Sequence, residues 1–287
     1  MKIDLHLHTD FSDGRLSPEE LLQLCKEREY KVISISDHDT VDGYLSVKDK
    51  ADEYGVTLVP GLEISSNYNG IEVHILAYFF DETDKPLLKL IDSINRSRLV
   101  RAQKIINKLA ANKINIDLNK IMKTTGKSRI VGRLHIARAM LELGYCTSIR
   151  DIFNRYLGDN AVAYEPKETP HVSKVIPIIK AAGGISVLAH PHRLDNISTI
   201  EGVIEAGVDG MEVYCPRSSC YAVQLFEQLA KNKDLLITGG SDFHGEAEEL
   251  IDFGKHTLDP TVWESIRYRY EVMKNEKIRY SQSDRHQ

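Results

Sequence analysis

No run of eighteen apolar residues occurs in this 287-residue chain, so a membrane-spanning helix is not expected. A secretory signal is not expected either, because Met1-Lys2-Ile3-Asp4-Leu5-His6 puts polar groups where an apolar core would lie. If His6 and His8 function, the N-terminus cannot be removed without losing them, and the expectation is a cytoplasmic protein. Cysteine is scarce. Cys25, Cys146, Cys215 and Cys220 are the whole complement, and none has the CxxC spacing of a structural zinc or redox site. Paired disulfides are therefore not expected, which fits a reducing compartment. A positive balance is missing too: 37 Lys and Arg stand against 42 Asp and Glu, for a formal charge of -5. That argues against a surface coated to hold nucleic acid, and no stable complex with a duplex is expected. The chain has no GxSxG elbow, no P-loop and no GxGxxG turn, so a serine nucleophile is disfavoured and water is the better candidate. Internal repeats and low-complexity tracts are absent as well.

What is present reads as an ordinary globular protein, with 42% hydrophobic and 28% charged residues and enough length for a large core. Length alone allows two average domains or one large α/β barrel with an insertion. The pattern decides. Ile3, Leu5 and Leu7 alternate with Asp4, His6 and His8 over residues 2 to 8, as in a strand whose two histidines point the same way. Ser17-Pro18-Glu19-Glu20 then supplies an N-cap, a first-turn proline and early acids for a helix. Strands are expected at 31–36 and at 56–63, with a helix near 43–54 between them. Asn69-Gly70 reads as a tight turn into a strand at 71–79, which makes that pair antiparallel. Helices near 171–182, 197–206 and 220–231 alternate with strands at 185–189, 209–214 and 235–239, and a last helix spans about 260–275. Such alternation implies a parallel sheet, open or closed. The interval 96–165 breaks it with helical patterns and no convincing strand, and residues 280–287 are polar and expected to fray.

On this map the polar residues fall at strand ends. His6 and His8 end the first strand, Asp37 and His38 the second, and Glu63 the third. His190 follows the fifth and Asp242 and His244 the seventh, while His74 lies within the fourth. In a parallel barrel such ends converge on one mouth, where barrel enzymes build active sites. One strand-end histidine is more often a hydrogen-bonded structural residue than a ligand. Six of the eleven histidines fall on these units, however, together with carboxylates. Imidazole and carboxylate without thiolate suit zinc, manganese or iron in a catalytic setting. Nine candidates, His6, His8, Asp13, His38, Glu63, His74, His190, Asp242 and His244, are too many for one ion. Two ions are the minimum, and three fit if Glu63 bridges. Clustered cations of this kind favour hydrolysis, through a hydroxide available near neutral pH.

Several segments together resemble the PHP (polymerase and histidinol phosphatase) superfamily. They are His6-Leu7-His8, Phe11-Ser12-Asp13-Gly14, Ser36-Asp37-His38-Asp39, Gly61-Leu62-Glu63, Val73-His74, Ala189-His190-Pro191-His192 and Gly240-Ser241-Asp242-Phe243-His244. The resemblance covers residues 1 to about 260. It implies an α/β fold, a distorted (β/α)7 TIM-like barrel built from 1–95 and 166–279, with 96–165 as an inserted helical subdomain that caps the substrate. It also implies a trinuclear centre of divalent manganese, zinc or iron. One ion would take His6, His8 and Asp242, another His74 and His190, and the third Asp13, His38 and His244, with Glu63 bridging.

Residues 95–139 carry Arg96, Arg98, Arg101, Lys104, Lys108, Lys113, Lys120, Lys123, Lys127, Arg129, Arg133 and Arg138 against one acid, Asp117. Most of these belong to a solvated helix face. A cap of that charge over a metal mouth would nevertheless attract a polyanion. Gly132-Arg133-Leu134-His135 and Tyr164-Glu165-Pro166-Lys167 resemble a subgroup of nucleoside 3',5'-bisphosphate phosphatases and 5'-to-3' exoribonucleases. Leu134 stands where that subgroup often has proline. Arg133, His135, Lys167 and His192 are the candidate phosphate contacts. His192 is also a candidate general acid beside Glu63, since imidazole titrates near neutrality. Asp37 is expected to orient a histidine rather than to bind metal, and Cys215 and Cys220 to pack rather than react. The expected activity is hydrolysis of a phosphate ester of a nucleotide or short oligonucleotide. The alternatives are a phosphatase for histidinol phosphate or another small phosphomonoester, and a non-catalytic scaffold module.

Overall fold

The computed structural model describes residues 1–124, 130–245, 253 and 258–283. Seven strands form one sheet in chain order: β1 (Lys2–Leu7), β2 (Tyr30–Ile35), β3 (Thr57–Tyr68), β4 (Ile71–Tyr78), β5 (Ile185–Leu188), β6 (Gly210–Tyr214) and β7 (Leu236–Gly239). The residues after β7 close the ring, because Phe243 bridges Leu7 in parallel. Asp242 N–H donates to the His6 carbonyl at 2.9 Å, and His8 N–H to the Phe243 carbonyl at 3.0 Å. The fold is thus an α/β, distorted TIM-like barrel.

β4 alone runs against its neighbours, antiparallel to both β3 and β5. The cause is local: Asn69 and Gly70 have φ of 50° and 84°, the two positive values that a type I′ hairpin needs. The reversal explains why His74 breaks the strand-end rule. In a reversed strand the early residues lie at the mouth, and His74 pairs with Ser65, two positions past Glu63. β3 also differs from expectation. It continues to Tyr68 because β4 bonds to it from Gly61 onward, so Glu63 sits inside a strand rather than at its end.

Outside the ring, α1 (Pro18–Glu27) starts on a capping box in which Ser17 Oγ accepts from Glu20 N–H and Glu20 accepts from Ser17 N–H. Its buried Leu21, Leu22 and Cys25 pack with Ile33 and Ile35 of β2. The helix expected near 43–54 is instead α2 (Asp42–Val47) followed by a 3-10 turn at Ala51–Tyr54. Further on, α7 (Val172–Ala181), α8 (Ile197–Glu205) and α9 (Cys220–Asn232) add Val175, Ile176, Val203 and Phe226 to a cluster around Leu62, Ile75, Leu188 and Met211. Each fully buried aliphatic side chain of this kind contributes roughly 1.5–3 kcal/mol before entropy is counted.

Between β4 and the start of α7 the described residues form helices joined by turns and no strand: α3 (Lys85–Ala111), α4 (Leu118–Thr124), α5 (Arg133–Glu142) and α6 (Ile149–Ile152), with a π turn at Phe153–Leu157. α3 changes partners along its length. Leu87, Leu90, Ile91 and Ile94 join the barrel cluster. Ala102, Ile105, Ile106 and Leu109 instead pack with Ile136, Met140, Ile152, Leu157 and Ala163 in a separate core. Lys127 and Arg129 lie outside the described residues. The final helix, α10 (Pro260–Ser283), outruns the expected end near 275, so the first four residues of the expected tail are helical. Residues 284–287 are outside the described set. Leu258 and, from α10, Trp263 and Ile266 pack with Val59, Tyr78 and Val187 from the strands.

Candidate metal centre

The nine residues singled out as ligands meet in one place. Glu63 is its hub: it is fully buried, and its two oxygens face different partners. Oε1 lies 2.8 Å from His74 Nδ1 and 2.9 Å from His190 Nε2. Oε2 lies 2.9 Å from His38 Nδ1, 3.2 Å from His6 Nε2 and 3.3 Å from His8 Nε2. Asp242 Oδ1 approaches His8 Nε2 at 3.2 Å and His6 Nε2 at 3.6 Å. On the far side of His8, Asp13 lies 3.3 Å from His244 Nε2 and 3.9 Å from His38 Nε2. Donor atoms close enough to share an ion fall into three overlapping groups: His6, His8, Glu63 and Asp242; His8, Asp13, His38 and His244; and His38, Glu63 and His74.

A divalent cation fits what these residues leave undone. His6 Nε2, His8 Nε2, His38 Nδ1, Asp13 Oδ1 and Glu63 Oε2 are buried and make no hydrogen bond. A buried polar atom left so costs roughly 1–3 kcal/mol, and native proteins rarely tolerate five together unless something else binds them. The donors are nitrogen and oxygen without sulfur, as open catalytic sites for zinc, manganese or iron use.

Electrostatics agree. Burial by itself would raise the Glu63 carboxyl, yet the surrounding His38, His74 and His6 hold it well below the usual carboxylate range. Asp13 and Asp242 are likewise held low against burial, by His244 and by His8 respectively. Burial opposes charge on His8, but Asp242 and Glu63 lift it to about 10, while for His38 burial wins and pushes it to about 4. Crowded imidazoles thus compete for protons beside carboxylates that prefer a positive partner.

The backbone is strained where it turns into the centre. Asp39, His190 and Asp242 have φ of 51°, 28° and 54°, in the left-handed region that non-glycine residues seldom occupy. Close approach adds a second constraint. A Cβ on Gly240 would lie 2.4 Å from His6 Cβ, so only glycine lets the strand-closing segment reach β1 here.

The other expected residues are placed less uniformly. His192 sits half-buried on the turn Pro191–Arg193, and its Nδ1 has no hydrogen-bond partner. Burial, and then Arg193, lower its affinity for a proton. Lys167 Nζ pairs with Glu72 at 2.6 Å, and Glu72 in turn lies 3.0 Å from His74 Nε2. His135 accepts from Gly132 N–H at 3.1 Å, and Arg133 pairs inside the helical segment with Asp159 and the Leu157 carbonyl. Among the described residues, the Asp37 side chain makes no hydrogen bond to a histidine. It accepts from Thr9 N–H, Thr9 Oγ1 and Ser12 Oγ, and reaches His8 only through Ser12, 3.5 Å from His8 Nδ1. Cys215 is buried, which pushes its thiol up to about 12, whereas Cys220 is exposed rather than packed.

Sequence reasoning passed over four residues that support the centre. Glu212 is fully buried and contacts both His6 and His190. Arg193 donates to Asp242 Oδ2. Asp39 and Arg98 form a buried ion pair next to His38. Only Glu212 carried a signal in sequence, as an acid inside the apolar run Gly210-Met211-Glu212-Val213-Tyr214. Arg98 looks like its basic neighbours on α3 until the tertiary structure buries it.

Comparison with known proteins agrees with this geometry. The family model for the PHP domain matches residues 4–159. A 5'-3' exoribonuclease of Haemophilus influenzae is 34% identical over 278 residues, which cover 92% of this chain and 99% of that protein. A 3',5'-nucleoside bisphosphate phosphatase of Chromobacterium violaceum is 30% identical over 93% of this chain and 97% of its own. Among solved structures, an amidohydrolase of the same organism with bound sulfate and no metal superposes with a TM-score of 0.84. It is 29% identical and covers 94% of this chain and 97% of that one.

Proposed function

The chain belongs to the PHP domain family, and on that premise we propose that it is a metal-dependent hydrolase cleaving a phosphate ester of a nucleotide or short oligonucleotide. The observation that carries the reading is Glu63, one buried carboxylate shared by five histidines, whose own Oε2 and four buried donor atoms around it make no hydrogen bond. The nucleotide part rests on the exoribonuclease and bisphosphate phosphatase relatives, which match this chain over nearly its whole length.

His6, His8 and Asp242 would hold one divalent ion, His74 and His190 a second, and Asp13, His38 and His244 a third, with Glu63 shared. Such ions, manganese, zinc or iron, supply positive charge for phosphate oxygens and make water acidic enough to attack near neutral pH. The protein's own groups do the rest. Arg193 braces Asp242 from the side opposite the histidines, and Glu72 and Lys167 brace His74. His192 is the group we assign to hand a proton to the leaving oxygen, because it sits on the turn next to His190 with Nδ1 free of any hydrogen-bond partner. Arg133, His135 and Lys167 are assigned to the substrate side as phosphate contacts, on α5 and on the strand of chain that leads back to the barrel. The helical segment 96–165 is assigned as the cap over the mouth. No described helix is long and apolar enough to cross a membrane, and a cytoplasmic location fits the four free thiols.

The test is a panel with added manganese or zinc: a nucleoside 3',5'-bisphosphate, 5'-phosphorylated RNA and DNA oligomers, histidinol phosphate and an aryl phosphate. Turnover of the bisphosphate or the RNA, lost on chelation and restored by metal, is the expected result. A strong preference for histidinol phosphate would keep the centre and overturn the substrate. Inactivity on every ester, with less than one metal bound per chain, would overturn the enzyme reading in favour of a scaffold.

A further inference from the structure

We infer that Glu212 sets the tautomer of His6 and thereby tunes the metal affinity of the centre; the inference rests on the metal-centre reading above. Glu212 lies on β6 between Met211 and Val213, and all three are fully buried. Its Oε2 accepts the His190 backbone N–H at 2.7 Å, and its Oε1 lies 2.9 Å from His6 Nδ1. One carboxylate therefore ties together two residues of the centre that are 184 positions apart, on β1 and just after β5.

The two contacts differ in kind. A backbone N–H can only donate, so Oε2 is committed as an acceptor. A ring nitrogen can donate or accept, and its partner decides which. Opposite a carboxylate oxygen, Nδ1 carries the hydrogen. The His6 lone pair is then left on Nε2, the atom that lies 3.2 Å from Glu63 Oε2 and makes no hydrogen bond. Nothing in the packing of β6 calls for a charge at this position, since its neighbours are apolar and an unpaired carboxylate is costly to bury. What the position does need is a double acceptor of fixed length, and among side chains only a carboxylate is that.

Glutamine shows the consequence. It matches glutamate in shape, but only one of its ends accepts. The His190 N–H takes that end, which turns the amide NH2 toward His6 Nδ1. His6 must then accept at Nδ1 and carry its hydrogen on Nε2, facing the carboxylates with a proton where a ligand atom is needed.

The experiment compares wild-type protein with Glu212→Gln. Manganese and zinc binding are measured by calorimetry and by metal analysis, and thermal melting is recorded after chelation. The expected result is a loss of roughly 10- to 100-fold in metal affinity, with the chelated variant melting within a few degrees of the chelated wild type. A purely structural role would give the reverse. Histidine-labelled, zinc-loaded wild type supplies a second readout by 15N–1H correlation: His6 should carry its hydrogen on Nδ1. This measurement decides the matter even if the variant does not fold. His6 protonated on Nε2, or Glu212→Gln binding metal as tightly as wild type, overturns the role of Glu212 and leaves the centre intact. Wild type that binds neither metal overturns the metal-centre reading and this inference with it.

Discussion

Replacing Arg98 with methionine strands a buried charge beside the centre. Arg98 reaches from α3 to Asp39, with Nη2 2.5 Å and Nε 2.7 Å from Oδ2, and Nη2 also donates to Ser65 Oγ at 2.9 Å. Arg98 is 8% exposed and Asp39 0%. Methionine keeps the aliphatic bulk and removes the fork. Asp39 would retain its bonds from Ser65 N–H and Oγ, both 2.8 Å long, but lose its only contacting cation among the described residues. Breaking one side of a buried pair typically costs about 3–5 kcal/mol, and the two remaining donors argue for about 3. A chain of this length unfolds with an entropy of roughly 0.6 kcal/mol/K, so the melting point should fall by about 5 °C. The assay is thermal melting of wild type, Arg98→Met, Asp39→Asn and the double variant. Asp39→Asn should recover a large part of the loss, with a coupling of at least about 1 kcal/mol between the two positions. A drop under about 1 °C in Arg98→Met, or additive losses in the double variant, would refute the reasoning. Because Asn95 Nδ2 also holds the Asp39 carbonyl at 2.9 Å, loosening should spread to His38 and weaken metal binding as well.

Glu63→Ala and His190→Ala should each lower turnover by at least about 100-fold and reduce bound metal, since every proposed ion depends on Glu63 or its immediate partners; full activity in either would mean the site is misassigned. Gly240→Ala, whose new methyl group would lie 2.4 Å from His6 Cβ and 2.5 Å from His6 N, should destabilise by about 1–3 kcal/mol and lower metal content. A variant that melts and binds metal like wild type would show that the seam between β7 and β1 can give. Lys104 and Lys108, roughly half exposed and paired with Glu165, are expected to matter little for stability: Lys104→Ala with Lys108→Ala should change it by under about 1 kcal/mol. The same change should reduce kcat/KM for an oligonucleotide at low salt more than at high salt; an unchanged salt dependence would take these lysines out of substrate attraction.

Much of the molecule was legible in order along the chain. Alternating strands and helices announced an α/β sheet and left open whether it closes, the barrel being what the family resemblance implied; Asn69-Gly70 announced the hairpin, and the ligand residues stood out because polar groups at strand ends are conspicuous against apolar runs. The extent of β3 was not legible, because its second half is a strand only by pairing with β4. Neither was the end of α10, where a polar sequence continues as helix beyond the point at which its pattern weakens. The supporting shell was hidden for a different reason. Arg98 and Asp39 are 59 positions apart, and Glu212 is 206 from His6; no local pattern distinguishes the first two from solvated charges, and the apolar run around Glu212 marks it as unusual without naming its partners.

Local sequence, by itself, determined the order of elements and the chemical type of the centre, because periodicity, capping and residue identity act over a few positions. It also set the His6-Leu7-His8 pair on one side of β1, a consequence of a two-residue repeat. Tertiary structure alone decided that His74 enters from a reversed strand, that Glu63 is shared by five imidazoles, and that Glu212 and Arg98 are buried partners rather than surface charges. Those outcomes depend on which distant segments exclude water from each other, and closure of the ring between β1 and the residues after β7 is what brings them together.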